Sequence, residues 1–154
     1  MYDGEQLKYG QVSGGEGGFS VVVAADQTIP AASGKFVKRT GASTATVTLM
    51  GAGDTEPMGH LEIEEVTDTS TDGTEVRKCV DDLTAVFRIP INGGTFYEYM
   101  KGKKCDLSIA STIQGAALNS TADGVVIIVE GDETNSKWVD VRLNPAKIAQ
   151  VATA

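Results

Sequence analysis

Histidine is nearly absent from this sequence, with His60 alone, and aromatic residues make up only 6% of it. A chain with one imidazole lacks the His pairs of most acid–base catalysis and metal centres, and it carries neither a G-x-S-x-G elbow nor an H-E-x-x-H pair. Cysteine is scarce too. Cys79 and Cys105 stand apart, outside any C-x-x-C spacing, and read as core thiols rather than zinc ligands or a disulfide framework. Long apolar runs are missing: Val21 to Val23 and Val125 to Val129 have the length of strands, far short of a bilayer span. Basic residues are outnumbered 21 to 13, for a net charge of −8, which speaks against nucleic acid, whose phosphates are bound by clustered Lys and Arg. Met1-Tyr2-Asp3-Gly4-Glu5 does not have the basic-then-apolar order of a secretory signal, so synthesis in a cytoplasm is expected. The expectation from these shortages is a protein without cofactor, metal, membrane or enzymatic activity.

What is present is Thr, Ser, Gly and a period of two. Ala85, Phe87, Ile89 and Ile91 share one face of a strand, with Thr84, Arg88 and Pro90 on the other. Leu61 and Ile63 alternate with His60, Glu62 and Glu64, which places His60 on a polar face as a strand residue rather than a general base. Val47 and Leu49 alternate with Thr46, Thr48 and Met50; Cys105, Leu107 and Ile109 form another face; Val139, Val141 and Leu143 stand against Trp138, Asp140 and Arg142. Val125 to Val129 reads as a central strand covered on both faces, and Pro90 as an edge or strand end, because it cannot donate to a ladder. The fold class expected is mainly β: an antiparallel sandwich or small barrel with one short helix and an extended N-terminal arm. The divisions are an arm over residues 1–18, a β domain over 19–144 and a C-terminal tail over 145–154. A capping box at Thr95 to Glu98, stopped by Gly102, predicts the helix. Asn144-Pro145 starts a second short one.

Three stretches hold chemistry worth weighing. In V-S-G-G-E-G-G-F-S-V-V-V, residues 12–23, the glycines lead into a strand and the enclosed charge is Glu16, opposite in sign to what a phosphate cradle requires; the loop reads as a flexible lead into the strand. Asp68 to Gly73 begins a calcium-loop pattern, but Cys79 stands where the bidentate glutamate belongs, so an exposed hairpin turn is expected. Lys101, Lys103 and Lys104 form a basic patch in an acidic chain, close behind the aromatic cluster Phe96, Tyr97 and Tyr99. That patch suits either a helix C-terminus or docking to an acidic partner surface. The rings suit packing onto a sheet or neighbouring subunit, or a sugar platform.

Lys101-Gly102-Lys103-Lys104-Cys105-Asp106-Leu107 and the closing Lys137-Trp138-Val139-Asp140-Val141-Arg142-Leu143-Asn144-Pro145, with the glycine-rich lead, give the chain a layout that resembles the small decoration or cement proteins of tailed-bacteriophage capsids. The resemblance implies a structural virion protein, made in the host cytoplasm and bound to the capsid exterior. It would be a homotrimer clamping neighbouring major capsid protein subunits. The arm would reach a partner through Tyr2, Leu7, Tyr9 and Val12, and Lys101, Lys103 and Lys104 would dock on the shell. The alternative expected from the residues is a carbohydrate- or surface-binding β-sandwich module.

Overall fold

A computed structural model describes residues 9–15, 17–41, 46–63 and 67–148. In chain order the strands are β1 (Gly10–Ser13), β2 (Gly18–Val23), β3 (Gln27–Ile29), β4 (Phe36–Arg39), β5 (Thr46–Leu49), β6 (Gly59–Glu62) and β7 (Asp68–Ser70). They continue with β8 (Val76–Val80), β9 (Val86–Gly93), β10 (Lys104–Ala110), β11 (Ile113–Ala117), β12 (Val126–Gly131) and β13 (Trp138–Leu143), followed by one helical turn, α1 (Pro145–Ile148). The protein is mainly β, as the period-two pattern predicts. Among the described residues no helix is long and apolar enough to cross a membrane.

The strands close into two rings. The first is a barrel in the order β2-β5-β4-β6-β8, with β8 returning to β2; the β2–β5 pair is parallel and the others antiparallel. Its interior holds Val21, Val23, Val37, Val47, Leu61 and Cys79, together with Ile29 from the β3–β7 ribbon. That ribbon is tied to the barrel by the Arg77 guanidinium, which donates to both carboxylate oxygens of Asp68, and by the Ser70 hydroxyl, which donates to the Val23 carbonyl. The second sheet runs β1-β9-β11-β10-β12-β13, and pairing of β13 with β9 brings its far end back to β9. Its core contains Phe87, Ile89, Leu107, Val126, Ile128, Val139, Val141 and Leu143.

The rings share a wall. Phe36, Met50 and Val80 come from the barrel yet pack into the second core. Gln114 of β11 bridges the two: its Oε1 accepts the Phe36 amide at 2.8 Å, and its Nε2 donates to the Phe36 and Met50 carbonyls at 2.8 and 2.9 Å. Its own backbone amide donates to Ser33 Oγ, and its carbonyl accepts the Gly34 amide.

Several expectations change at this wall. His60 is buried rather than on a solvated face, because the outside of the barrel at β6 is covered by Phe87 of the second ring. Met50 is buried for the same reason. Pro90 lies inside β9 and not at an edge. On the β13 side it is Ile91 whose amide donates to Lys137, while on the other side of β9 pairing passes from β1 to β11 around Pro90, so its missing N–H breaks no ladder. Val125 to Val129 is not covered on both faces: a bulge between Ile128 and Glu130 turns Val129 outward. Ile109 is also exposed.

The glycine loop is not a flexible lead. Gly10–Ser13, within the expected arm, pairs with β9 as β1. A Cβ on Gly14, which has φ +96°, would lie 2.4 Å from the Thr84 carbonyl, and one on Gly18 would lie 2.1 Å from that of Cys79. These glycines let two backbones approach closely. The Thr95–Glu98 capping box does not form: the helix is a single 3-10 turn, Glu98–Met100, whose N-cap position is Tyr97 with no capping side chain. Phe96 is instead buried in the core, its amide donating to Ser136 Oγ, and this fixes the chain ahead of the turn. α1 does begin with Pro145, and Asn144 Oδ1 accepts the Ala146 amide there.

Candidate partner-binding surface

The surface with the most binding chemistry is built on the 3-10 turn and the strand beside it. Phe96 anchors one end of the turn in the core. Gly102, in the left-handed region at φ +83°, ends it, and its amide donates to the Ile128 carbonyl at 2.7 Å, fastening the segment to β12. Two rings project from this frame. Tyr97 and Tyr99 are 51% and 65% exposed and stack at 5.6 Å between centroids, with planes only 7° apart. The Lys103 ammonium lies 5.0 Å from the Tyr99 ring centre, within cation–π range.

The three lysines of the patch have different fates. Lys101 donates to Glu98 at 2.7 Å and to Glu130 at 3.1 Å, so its charge is balanced within the domain. Hydrogen bonds from Glu98 first, then Glu130, raise the Lys101 pKa; Glu130 is lowered, by the Gly131 amide first and then by Lys101. Among the described residues, the Lys103 side chain is committed only to the Tyr99 ring. The Lys104 stem lies across Gly124, and the residue is exposed without an ion pair among the described residues. The positive charge offered to solvent therefore comes from Lys103 and Lys104, with Lys101 bracing the turn against β12. The bulged Val129 is exposed beside Glu130. Sequence reasoning missed it, because a run of five aliphatic residues holds no local mark of a bulge.

The remaining expected partner residues lie elsewhere. Tyr2 and Leu7 fall outside the described residues. Tyr9 is half-buried next to β1, and Val12 is exposed on it. Among the described residues, Tyr9 and Val12 lie at β1, which pairs with β9, whereas the lysines lie at the 3-10 turn and the start of β10.

Residues weighed for catalysis or metal binding are otherwise engaged. Nε2 of His60 accepts the Lys35 amide at 3.2 Å, leaving Nδ1 to donate to the Leu61 carbonyl at 2.8 Å. Burial first, then the Lys35 charge, lowers its pKa to about 3, so it is no base near neutrality. Cys79 and Cys105 are free, buried thiols pushed up to about 12 chiefly by burial. Asp68 is occupied by Arg77, and Asp72 accepts from the Thr74 amide and hydroxyl in a local turn. Among the described residues no group of three or more potential ligands could hold a metal ion.

No protein-family model matches this chain, and no curated protein matches it.

Proposed function

We propose that the protein is a non-enzymatic structural component of a tailed-phage virion that binds the outside of the capsid and clamps neighbouring major capsid protein subunits, acting as a homotrimer. The observation that carries this reading is the exposed Tyr97–Tyr99 stack with Lys103 over the Tyr99 ring, on a turn braced from both sides, with Lys104 exposed at the start of the strand that follows. Stacked rings have few rotamers left to lose, so burying them against a partner costs little ordering entropy, and tyrosine is favoured at such hot spots. The two lysines would set orientation and association rate against an acidic surface. Weak contacts repeated across three linked subunits become strong, since each later one forms within an assembly already tethered. The resemblance to capsid decoration proteins supplies the identity of the partner.

Co-sedimentation with phage heads stripped of decoration tests the reading. The wild-type chain should saturate such heads, and Tyr99→Ala should bind at least about fivefold more weakly, the effect of losing roughly 1 kcal/mol at an aromatic anchor. Undiminished binding by Tyr99→Ala combined with Lys103→Ser and Lys104→Ser would exclude this surface. Absence of any binding to heads would exclude the capsid role.

A carbohydrate-binding role is the second reading, favoured by the exposure of the same rings. Against it, Tyr99 already stacks with Tyr97 and already carries Lys103, contacts that compete with a sugar face. Glycan-array binding that is lost in Tyr97→Ala, without binding to heads, would favour it.

A further inference from the structure

Lys35 has no role in that surface, yet it is among the largest fully buried side chains, at 2% exposure. Its ammonium donates to the Ser33 carbonyl at 2.8 Å and the Ala31 carbonyl at 3.3 Å, both in the turn ahead of β4. An ammonium has three N–H donors, so these two carbonyls leave one. No carboxylate among the described residues forms an ion pair with it. The titratable neighbours on β6 do not balance the charge. His60 is neutral with both ring nitrogens engaged, and Glu62 is exposed, its carboxylate 3.5 Å from Lys78. A buried cation balanced only by carbonyl dipoles is costly, and a negative charge brought next to it is correspondingly favoured.

A cavity of about 60 Å³ lies against Lys35 where β1 meets β6, lined also by His60, Phe87, Ile63, Gln11 and Glu62. A single water needs roughly 10–15 Å³ on the same measure, so there is space for a molecule of a few heavy atoms. The Gln11 amide is turned to its own loop, donating to the Ser13 and Gly15 carbonyls, and Phe87 and Ile63 are apolar. Among the described residues, Lys35 is thus the one positive group lining this small pocket, with the Lys78-paired Glu62 at its exposed side.

We propose that this cavity binds a small monovalent carboxylate, its oxygens accepting from the Lys35 ammonium and its carbon end against Phe87 and Ile63. A dianion would bring more charge than one lysine balances, and a bulky anion would not fit. Burial lowers the Lys35 pKa to about 8, so the amine is mainly charged at neutral pH and loses its charge just above it. Affinity for the anion should fall in that range.

Thermal unfolding of the intact chain with sodium formate or acetate tests the site, with sodium pivalate at equal ionic strength as a carboxylate of the same charge but greater bulk. The midpoint should rise to saturation with formate and acetate and stay flat with pivalate. Above pH 8 the affinity should drop by about tenfold per pH unit, following loss of the ammonium. Lys35→Met, which keeps the length and removes the charge, should abolish the response. A non-saturating response, an equal response to pivalate, or an unchanged one in folded Lys35→Met would overturn the proposal. Where Lys35→Met does not fold, the wild-type pH series decides alone, and equal affinity at pH 7 and 9.5 overturns it.

Discussion

Mild acid should weaken this fold through a single buried ring. His60 is stacked on Phe87 at 4.1 Å with planes 16° apart and meets Phe36 edge-on at 4.7 Å, and its hydrogen bonds require the neutral form. A proton added at Nε2 would face the Lys35 N–H it now accepts from. The folded pKa is about 3 against 6.5 for a free imidazole, with burial as the main cause. The unfolded chain therefore takes up a proton near pH 6.5 and the folded chain only near 3. The stabilisation is full above pH 6.5 and is lost progressively as the pH falls toward 3. Each pH unit in that window costs about 1.4 kcal/mol, so going from pH 7.5 to 5 removes about 2 kcal/mol. That is a large share of a typical domain stability of about 5–15 kcal/mol. Urea midpoints measured from pH 7.5 to 5 for wild type and His60→Gln would read it. The variant keeps a polar side chain of similar size but cannot titrate, so its stability should be nearly flat across the window. Most carboxylate effects fall below pH 5, because Asp72, Asp82 and Glu130 have lowered pKa values. Equal slopes for the two proteins would refute the assignment.

Gln114→Ala should cost about 2–5 kcal/mol in denaturant unfolding, because it leaves the buried Phe36 amide and Met50 carbonyl without their partner; a loss under 1 kcal/mol would mean the rings do not depend on this bridge. Gly18→Ala should destabilise by about 1–3 kcal/mol or block folding, since the added methyl meets the Cys79 backbone; a neutral result would restore the reading of a slack loop. Cys79 and Cys105, buried and shifted to about 12, should resist thiol-specific labelling until the protein is unfolded. Fast labelling of the folded chain would contradict the packing of both cores.

Much of the β framework is legible because alternation reports burial wherever a strand has one wet face. Phe87 and Ile89, or Val139, Val141 and Leu143, fall inward as their spacing predicts. The pattern fails where both faces are covered. Leu61 points into the barrel and its neighbour His60 to the opposite face, as alternation predicts, but that face is the wall between the rings and polarity misread it as solvated. Buried polar residues are illegible for a related reason. Asp140 is held by Arg88 at 2.7 Å and Gln114 by backbone from distant strands, partners that only the tertiary fold brings together. The lysine patch is visible as composition, but its division into Lys101 as a brace and Lys103 and Lys104 as free charge depends on Glu130, far along the chain. The Thr95 box failed because Phe96 is more valuable in the core than at the first turn of a helix.

The shared wall has a consequence for how the chain must be made. The barrel needs β8 before it can close on β2, and even then Phe36, Met50 and His60 lie on its outer side, waiting for strands that begin at Val86. The covering ring in turn closes only when β13, ending at Leu143, reaches β9. A nascent polypeptide emerging from the ribosome would therefore carry a greasy flank until Leu143 had been synthesised. Its two rings are set to mature together, late, rather than one after the other.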